Sequence, residues 1–338
     1  MSHTIYDIAK AAGVSIATVS RVFNKAESVK PSTREKVMKV ADRLGYQPHV
    51  YAQGLASKRK NRIMMLAPVM SNYFLTEILR GIQDCLASHD IELNIVNISQ
   101  DSRAIDQVEN IIKKSWAEGY LLVSLHLNEE ELSCLERYQV PISLLDDYSS
   151  YFDSVSFDNV EGAFLATDYL ISRGYERIVI LSANPNAIPI RERLAGYKKA
   201  LEKSKIPFRE SYVVTGDNME RDGFNEQSGY EAMRKILTMD PMPDAVFCTS
   251  DIKAVGAQKA MRETGLKIPL ISFDNLSISE YIGLSTVSQP MYRMGSEATE
   301  MLISRIRNGE SKSRHTQYEP ELVIRSSSEK PTVKHEAV

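Results

Sequence analysis

From Ile63 onward the chain alternates short apolar runs with amphipathic helical stretches, and few folds accept that alternation. Residues 63–68, 92–98, 120–124, 142–145, 178–181, 245–248 and 270–273 read as strands. The first helical period between them carries Ile78, Leu79, Ile82 and Leu86 on one face. Such alternation builds parallel sheets with helices on both faces, and in those sheets a ligand sits beyond the carboxyl ends of the strands. Asp146-Asp147, Ser250-Asp251 and Asp274-Asn275 stand just past such ends, and Arg191 and Arg193 open the helix after residue 181. Acids and arginines together suit a hydroxyl-rich ligand, since carboxylates accept from two hydroxyls and a guanidinium donates as a fork. The apolar faces of a sugar want an aromatic floor, for which Tyr73, Phe74, Phe157 and Phe224 are the candidates.

The opening of the chain reads differently. Ile5, Ile8, Ala9 and Ala12 recur at helical spacing, Gly13 stops the helix, and Ser15 is placed to cap a second one bearing Val19, Val22 and Phe23. Two short helices on a tight turn have little core, but they can push the start of the second helix into a DNA major groove. Ser15, Ile16, Ala17, Ser20 and Arg21 then form the outer face. Ser32-Thr33-Arg34-Glu35 reads as a capping box for a third helix with Val37, Ala41 and Leu44 inward and Gly45 as its stop. Next comes Tyr46-Gln47-Pro48, then Tyr51-Ala52-Gln53-Gly54-Leu55-Ala56 and the basic run Lys58-Arg59-Lys60-Asn61-Arg62. A segment so short, with an interior glycine, is marginal as an isolated helix. It is expected to become helical only against DNA and a dimer mate.

These motifs, in this order, resemble the DNA-reading head and hinge of the LacI/GalR family of bacterial repressors. The resemblance implies that Ile16, Ala17 and Arg21 read base edges, the first two by apolar contact suited to thymine methyls and the arginine at guanine. It implies that Leu55 of the hinge, flanked by Tyr51 and Ala56, wedges into the minor groove. Ala56 stands where the family often has a basic residue. Thr4, Ser15, Ser20, Asn24 and Thr33 are the expected phosphate contacts, which set register without reading sequence. Charge agrees: residues 1–62 hold 12 Lys+Arg against 4 Asp+Glu, a net of +8, while the remainder nets −11, giving the chain's −3. A basic head on an acidic body is what phosphate binding requires.

The body also resembles the family, through Arg193-Leu194-Ala195-Gly196-Tyr197, Phe247-Cys248-Thr249-Ser250-Asp251, Ile271-Ser272-Phe273-Asp274-Asn275 and Thr286-Val287-Ser288-Gln289-Pro290. The implied fold is α/β: a three-helix helix-turn-helix domain at 1–47, a hinge helix and linker at 48–62, and a two-lobed periplasmic-binding-protein-like effector domain with parallel sheets at 63–338. One lobe is expected at about 63–159 and 290–319, the other at about 160–289 and 320–338. The family implies an effector held by Arg193 and Asp274, with Asp146, Phe157, Ser250 and Gln289. Ser250 departs from the asparagine common there, and Asn218-Met219-Glu220-Arg221-Asp222-Gly223 looks like an insertion at the pocket mouth.

The implied function is an allosteric transcriptional regulator, a repressor of carbohydrate-metabolism genes. It would bind a palindromic duplex operator as a homodimer and answer to a sugar or sugar phosphate. Ile78, Leu79 and Ile82 are one expected dimer surface. A cytoplasmic protein, at the nucleoid when operator-bound, is expected: no leader precedes the first helix and no stretch is apolar enough to span a bilayer. Cys85, Cys134 and Cys248 are widely spaced in apolar contexts and read as buried, reduced thiols. The histidines His3, His49, His89, His126, His315 and His335 show no metal spacing, so no metal or cofactor is expected. No phosphate-cradling glycine loop and no nucleophile elbow occurs, which argues against an enzyme.

Overall fold

The computed structural model describes residues 4–24 (of Asn24 the backbone alone), 28–46, 61–68, 73–99, 103–309 and 312–329. Its contacts divide the chain into two units, residues 1–62 with 116–118 and residues 63–115 with 119–338. Tyr51, Leu55 and Ala56, with the rest of the expected hinge at 48–60, lie outside the described residues, as does the Asn24 side chain.

The head contains α1 (Ile5–Ala12), α2 (Ile16–Asn24) and α3 (Pro31–Leu44). Gly13 and Gly45 end α1 and α3 in the left-handed conformation, at φ 63° and 60°, which glycine enters without a Cβ clash. Ser15 Oγ accepts from the Thr18 amide at 3.1 Å and so caps α2. The third helix opens differently from the sequence expectation. It starts at Pro31, whose fixed φ and missing N–H suit the first helical position, so no capping box forms at Ser32. Glu35 pairs instead with Lys39, one turn on, at 2.8 Å. Ile8, Val19 and Val37 are fully buried at the centre of the three helices, with Ala9, Ala12, Val22, Val40 and Ala41 around them.

The body follows in chain order: β1 (Arg62–Ala67), α4 (Tyr73–Ala87), β2 (Glu92–Asn97), α5 (Ala104–Lys113), β3 (Gly119–Val123), α6 (Glu129–Leu135), β4 (Ile142–Leu145) and β5 (Asp153–Phe157). Then come α7 (Asn159–Ser172), β6 (Ile178–Leu181), α8 (Ile188–Lys203), β7 (Val213–Val214), α9 (Glu226–Ile236), β8 (Ala245–Cys248), α10 (Asp251–Thr264) and β9 (Leu270–Asp274). It ends with α11 (Ser277–Tyr281), β10 (Ser285–Ser288), α12 (Met291–Asn308), β11 (His315–Tyr318) and β12 (Glu321–Val323). Two six-stranded sheets result, ordered β11-β5-β4-β3-β1-β2 and β12-β10-β9-β8-β6-β7. The pairings β1–β3, β3–β4, β4–β5 and β5–β11 are parallel, as are β6–β7, β6–β8, β8–β9 and β9–β10, while β12 runs antiparallel to β10. The chain therefore passes between the sheets after β5, after β10 and after β11.

Packing corrects two expectations. Ile78 and Ile82 are fully buried inside the chain, because α4 lies against α12 with backbones nearly touching. A Cβ on Gly81 would sit 2.0 Å from the Tyr292 carbonyl oxygen, and one on Gly295 would sit 2.3 Å from that of Ile78. These isoleucines have no surface to offer a dimer mate. Of the cysteines, Cys248 is buried and Cys85 half-buried, but Cys134 is exposed, on the outward side of the short helix α6. No helix among the described residues is long and apolar enough to cross a membrane.

Candidate functional site

A cleft of about 450 Å³ opens where the carboxyl ends of both sheets' strands converge. From the first sheet it receives Pro68 after β1, Ser124 and His126 after β3, and Asp146 after β4. From the second it receives Asn184 after β6, Ser250 after β8, Asp274 at the end of β9 and Gln289 after β10. This is the strand-end position expected for a ligand in parallel sheets, and the volume lies in the range of small-molecule sites.

Arg193 anchors the floor. It is 5% exposed, and its guanidinium carbon lies 3.7 Å from the centre of the Phe273 ring. Its Nε donates to Asn159 Oδ1 at 3.0 Å, its Nη1 donates to the Thr249 carbonyl and lies 3.5 Å from Asp274 Oδ1. Asn159 in turn donates to Glu192 at 2.9 Å, so a buried amide orients the arginine between an acid and a carbonyl. Burial pushes the Asp274 carboxyl up to about 7 although Arg193 pulls it down, and burial likewise raises Asp146, whose Oδ2 accepts from Ser124 Oγ at 2.7 Å. Two buried polar atoms on the cleft wall, Ser250 Oγ and Gln289 Oε1, have no hydrogen-bond partner among the described residues. Such orphans are rare and costly in native proteins unless something completes them.

Backbone strain gathers here too. Ser124, His126, Asp146, Arg221, Asp222 and Asp274 all have positive φ, and they make up half of the described non-glycine residues that do. Each such residue costs on the order of 1–3 kcal/mol and persists where the surroundings over-determine it, typically at ligand sites.

Of the residues expected to hold an effector, Tyr73, Phe74, Asp146, Arg193, Phe224, Ser250, Asp274 and Gln289 line the cleft. Phe157 does not. It is 5% exposed and stands edge-on to Phe273, rings 5.8 Å apart at 88°, so it supports the ring beneath Arg193. Asp251 is spent on structure: it is fully buried and accepts from the Leu276 amide, Ser279 Oγ and Thr286 Oγ1 at 2.6–2.8 Å. Sequence reasoning missed Ser124, His126 and Asn184 on the cleft wall, and Asn159 and Glu192 behind Arg193. Loop polar residues give no periodic signal, and only the strand ends preceding Ser124 and Asn184 point to them.

The 218–223 segment does reach the cleft mouth, where Arg221 and Asp222 line it. Its end is held by Lys253, also unforeseen, which is fully buried and donates to the Gly223 carbonyl at 2.8 Å and Ser228 Oγ at 2.9 Å. Burial lowers its pKa to about 8. Lys253→Met is expected to leave both acceptors unpaired and to cost about 1–3 kcal/mol, read as a lower melting temperature. Because the folded lysine releases its proton before the unfolded one, its contribution to stability rises with pH above about 8. The variant should lack that rise, so the stability difference between wild type and variant should grow as pH climbs above about 8.

In the head, Ser15, Ile16, Ala17 and Arg21 are exposed on the outer face of α2, Ile16 at 42%. Ser20 and Thr33 are half-buried. Thr4 is placed otherwise than expected: its amide and hydroxyl both donate to Asp7 Oδ2, at 2.7 and 2.8 Å, leaving it no donor for a phosphate. One histidine does find company. Cys85 near the end of α4 and His89 in the turn that follows it meet Glu300 of α12. Arg307 Nη2 bonds His89 Nδ1 at 3.1 Å. A guanidinium only donates, so His89 Nδ1 is the acceptor in that bond, while Nε2 lies 3.5 Å from Glu300 Oε2.

A capped helix-turn-helix joined in one chain to a strand-end ligand cleft defines a ligand-responsive DNA-binding regulator. Residues 4–49 match the model of bacterial regulatory proteins of the lacI family, and residues 167–328 match a periplasmic binding protein-like domain. The chain is 36% identical to catabolite control protein A of Priestia megaterium over 312 residues, covering 89% of this chain and 92% of that protein. It is 33% identical to the HTH-type transcriptional repressor PurR of Vibrio parahaemolyticus over 336 residues, covering 97% and 99%. Among solved structures it is similar to the lac repressor dimer bound to operator and the anti-inducer ONPF (25% identity, TM-score 0.78, 97% and 99% covered). It is also similar to a CelR–cellobiose complex (26%, 0.68, 96% and 99%). The protein belongs to the lacI family of bacterial transcriptional regulators.

Proposed function

We propose that this regulator is a repressor whose grip on a palindromic operator is set by a sugar-like effector in the cleft. The observation that carries the effector half is the pair of buried, unpartnered atoms Ser250 Oγ and Gln289 Oε1 beside Arg193 and Asp274. A hydroxylated ligand completes both, because hydroxyls donate and accept, and it finds carboxylate acceptors at Asp146 and Asp274. The CelR relative's complex with cellobiose supports that chemistry. The DNA half is supported by the exposed Ile16–Arg21 face and the +8 charge of residues 1–62. Two heads on one two-fold site require a homodimer, and α2 is the element we assign to the major groove. The domain limits 1–47, 48–62 and 63–338 and the roles of the hinge residues belong to the same proposal.

Binding the effector in one of two lobe arrangements shifts DNA affinity by the difference in its affinity for them, commonly about 1–3 kcal/mol and reciprocal between ligands. The full chain is expected to select a two-fold symmetric sequence from a pool of randomised duplexes, and at least one sugar is expected to change affinity for it severalfold. Selection of no sequence over competitor DNA at low salt would overturn the DNA half.

A further inference from the structure

The cleft rim carries two guanidinium groups with no protein partner among the described residues. Arg191, in the first turn of α8, and Arg221, on the 220–223 turn, both line the cleft, and among the described residues neither guanidinium has a hydrogen bond or an ion pair. The acids around them are engaged elsewhere. Asp222 accepts from Asn184 Nδ2 at 2.7 Å, Glu131 from the Asn128 amide at 2.9 Å, Asp146 from Ser124, and Asp274 faces Arg193.

The two arginines are also fastened to the same stretch of rim. The Asn184 amide donates to the Asp222 carbonyl at 2.9 Å, the Ala187 amide to the Asn184 carbonyl at 3.1 Å, and the Arg191 amide to the Ala187 carbonyl at 3.1 Å. That chain of bonds ties the turn bearing Arg221 to the helix start bearing Arg191. The start of α8 adds to the positive field, since no side chain caps it and Ile188 and Pro189 border the cleft. The lining also includes the buried Ser250 Oγ and Gln289 Oε1, unpartnered among the described residues, and the carboxyl groups of Asp146 and Asp274. Inside the cleft Arg193 is already engaged by Asn159, Thr249 and Asp274, whereas the guanidinium groups at the rim are unpaired among the described residues.

We propose that the effector is an anionic sugar, its hydroxylated body on the strand ends and its phosphate ester or carboxylate between Arg191 and Arg221. This rests on the reading of the cleft as the effector site. Bidentate donation by guanidinium to phosphate or carboxylate is the strongest polar recognition such a rim offers. Asp146 and Asp274 reject a negative charge beside them and so fix the ligand's direction.

The test is ligand binding to the full-length protein by calorimetry and thermal shift. The probes are glucose, glucose 6-phosphate and glucuronate, then ribose and ribose 5-phosphate, with inorganic phosphate as the bare-anion control. At least one charged sugar is expected to bind tenfold or more tightly than its neutral parent, and Arg221→Gln, at an exposed position outside the core, is expected to erase that preference while neutral binding stays. The phosphate and glucuronate arms separate the two anion sources. Neutral sugars binding as well as charged ones, or a preference untouched by Arg221→Gln with Arg191→Gln, would overturn the proposal and leave the sugar cleft standing. A panel in which no sugar of either kind binds would overturn both.

Discussion

Arg193→Ala is expected to abolish the response to effector while operator binding stays within a few-fold of wild type. The guanidinium is the one cation on the cleft floor among the described residues, and it is engaged in three directions, by Asn159, Thr249 and Asp274, over the face of Phe273. A charge-assisted hydrogen bond of this kind is worth about 1.5–3 kcal/mol, so effector affinity should fall about tenfold to a hundredfold or more. The change also strands Asp274. Its carboxyl, already raised to about 7 by burial, loses the positive neighbour that lowers it and moves further up. Breaking a buried ion pair on one side costs about 3–5 kcal/mol, and the melting temperature should drop accordingly. Arg193→Ala with Asp274→Asn separates the two effects: stability should partly recover, because no buried charge is left alone, and effector response should not. A single variant that still responds at the wild-type effector concentration would place the effector elsewhere.

The parallel core strands were legible because they are apolar on both faces. Residues 142–145, 178–181 and 245–248 contain almost nothing but aliphatic and aromatic side chains, apart from Ser143 and Cys248. The strand 153–157, Asp-Ser-Val-Ser-Phe, was not legible. Its Asp153 is fully buried and is matched by Arg305 Nε and Nη2 and by Arg314 Nη2 and its amide, groups about 150–160 residues away. No local pattern announces a charge whose partners are that distant. The strands 285–288 and 315–318 escaped for a related reason, with hydroxyls set against Arg325, Asp251 and Glu297. The cleft was readable where it follows strong strands, at Asp146, Ser250 and Asp274, and at Arg193 through the family resemblance. It was unreadable where the residue acts through another, as Asn159 does for Arg193 and Phe157 does for Phe273.

Arg21→Ala is expected to weaken operator binding about tenfold to a hundredfold and to do so unevenly across sequences. Arg21 is exposed on α2 and stands outside the core of Ile8, Val19 and Val37, so the head should fold unchanged. Two roles are open to a free guanidinium there, and their signatures differ. Bonded to the N7 and O6 of a guanine, it supplies about 1–3 kcal/mol of discrimination, and its loss should flatten the preference for that base pair. Bonded to a phosphate, it carries no sequence information, and its loss should lower affinity equally on every duplex and reduce the salt slope by about 0.9. The first role is expected because Ile16 and Ala17, its neighbours on the same face, are apolar and suited to thymine methyls, which leaves the guanidinium as the polar member of the three residues assigned to base edges. Fluorescence anisotropy on the selected operator, on the same duplex with its guanines exchanged one at a time and on random DNA, each at several salt concentrations, decides between them. A uniform loss with a shallower salt slope would return Arg21 to the phosphates and leave the specificity of this head to Ile16 and Ala17 alone.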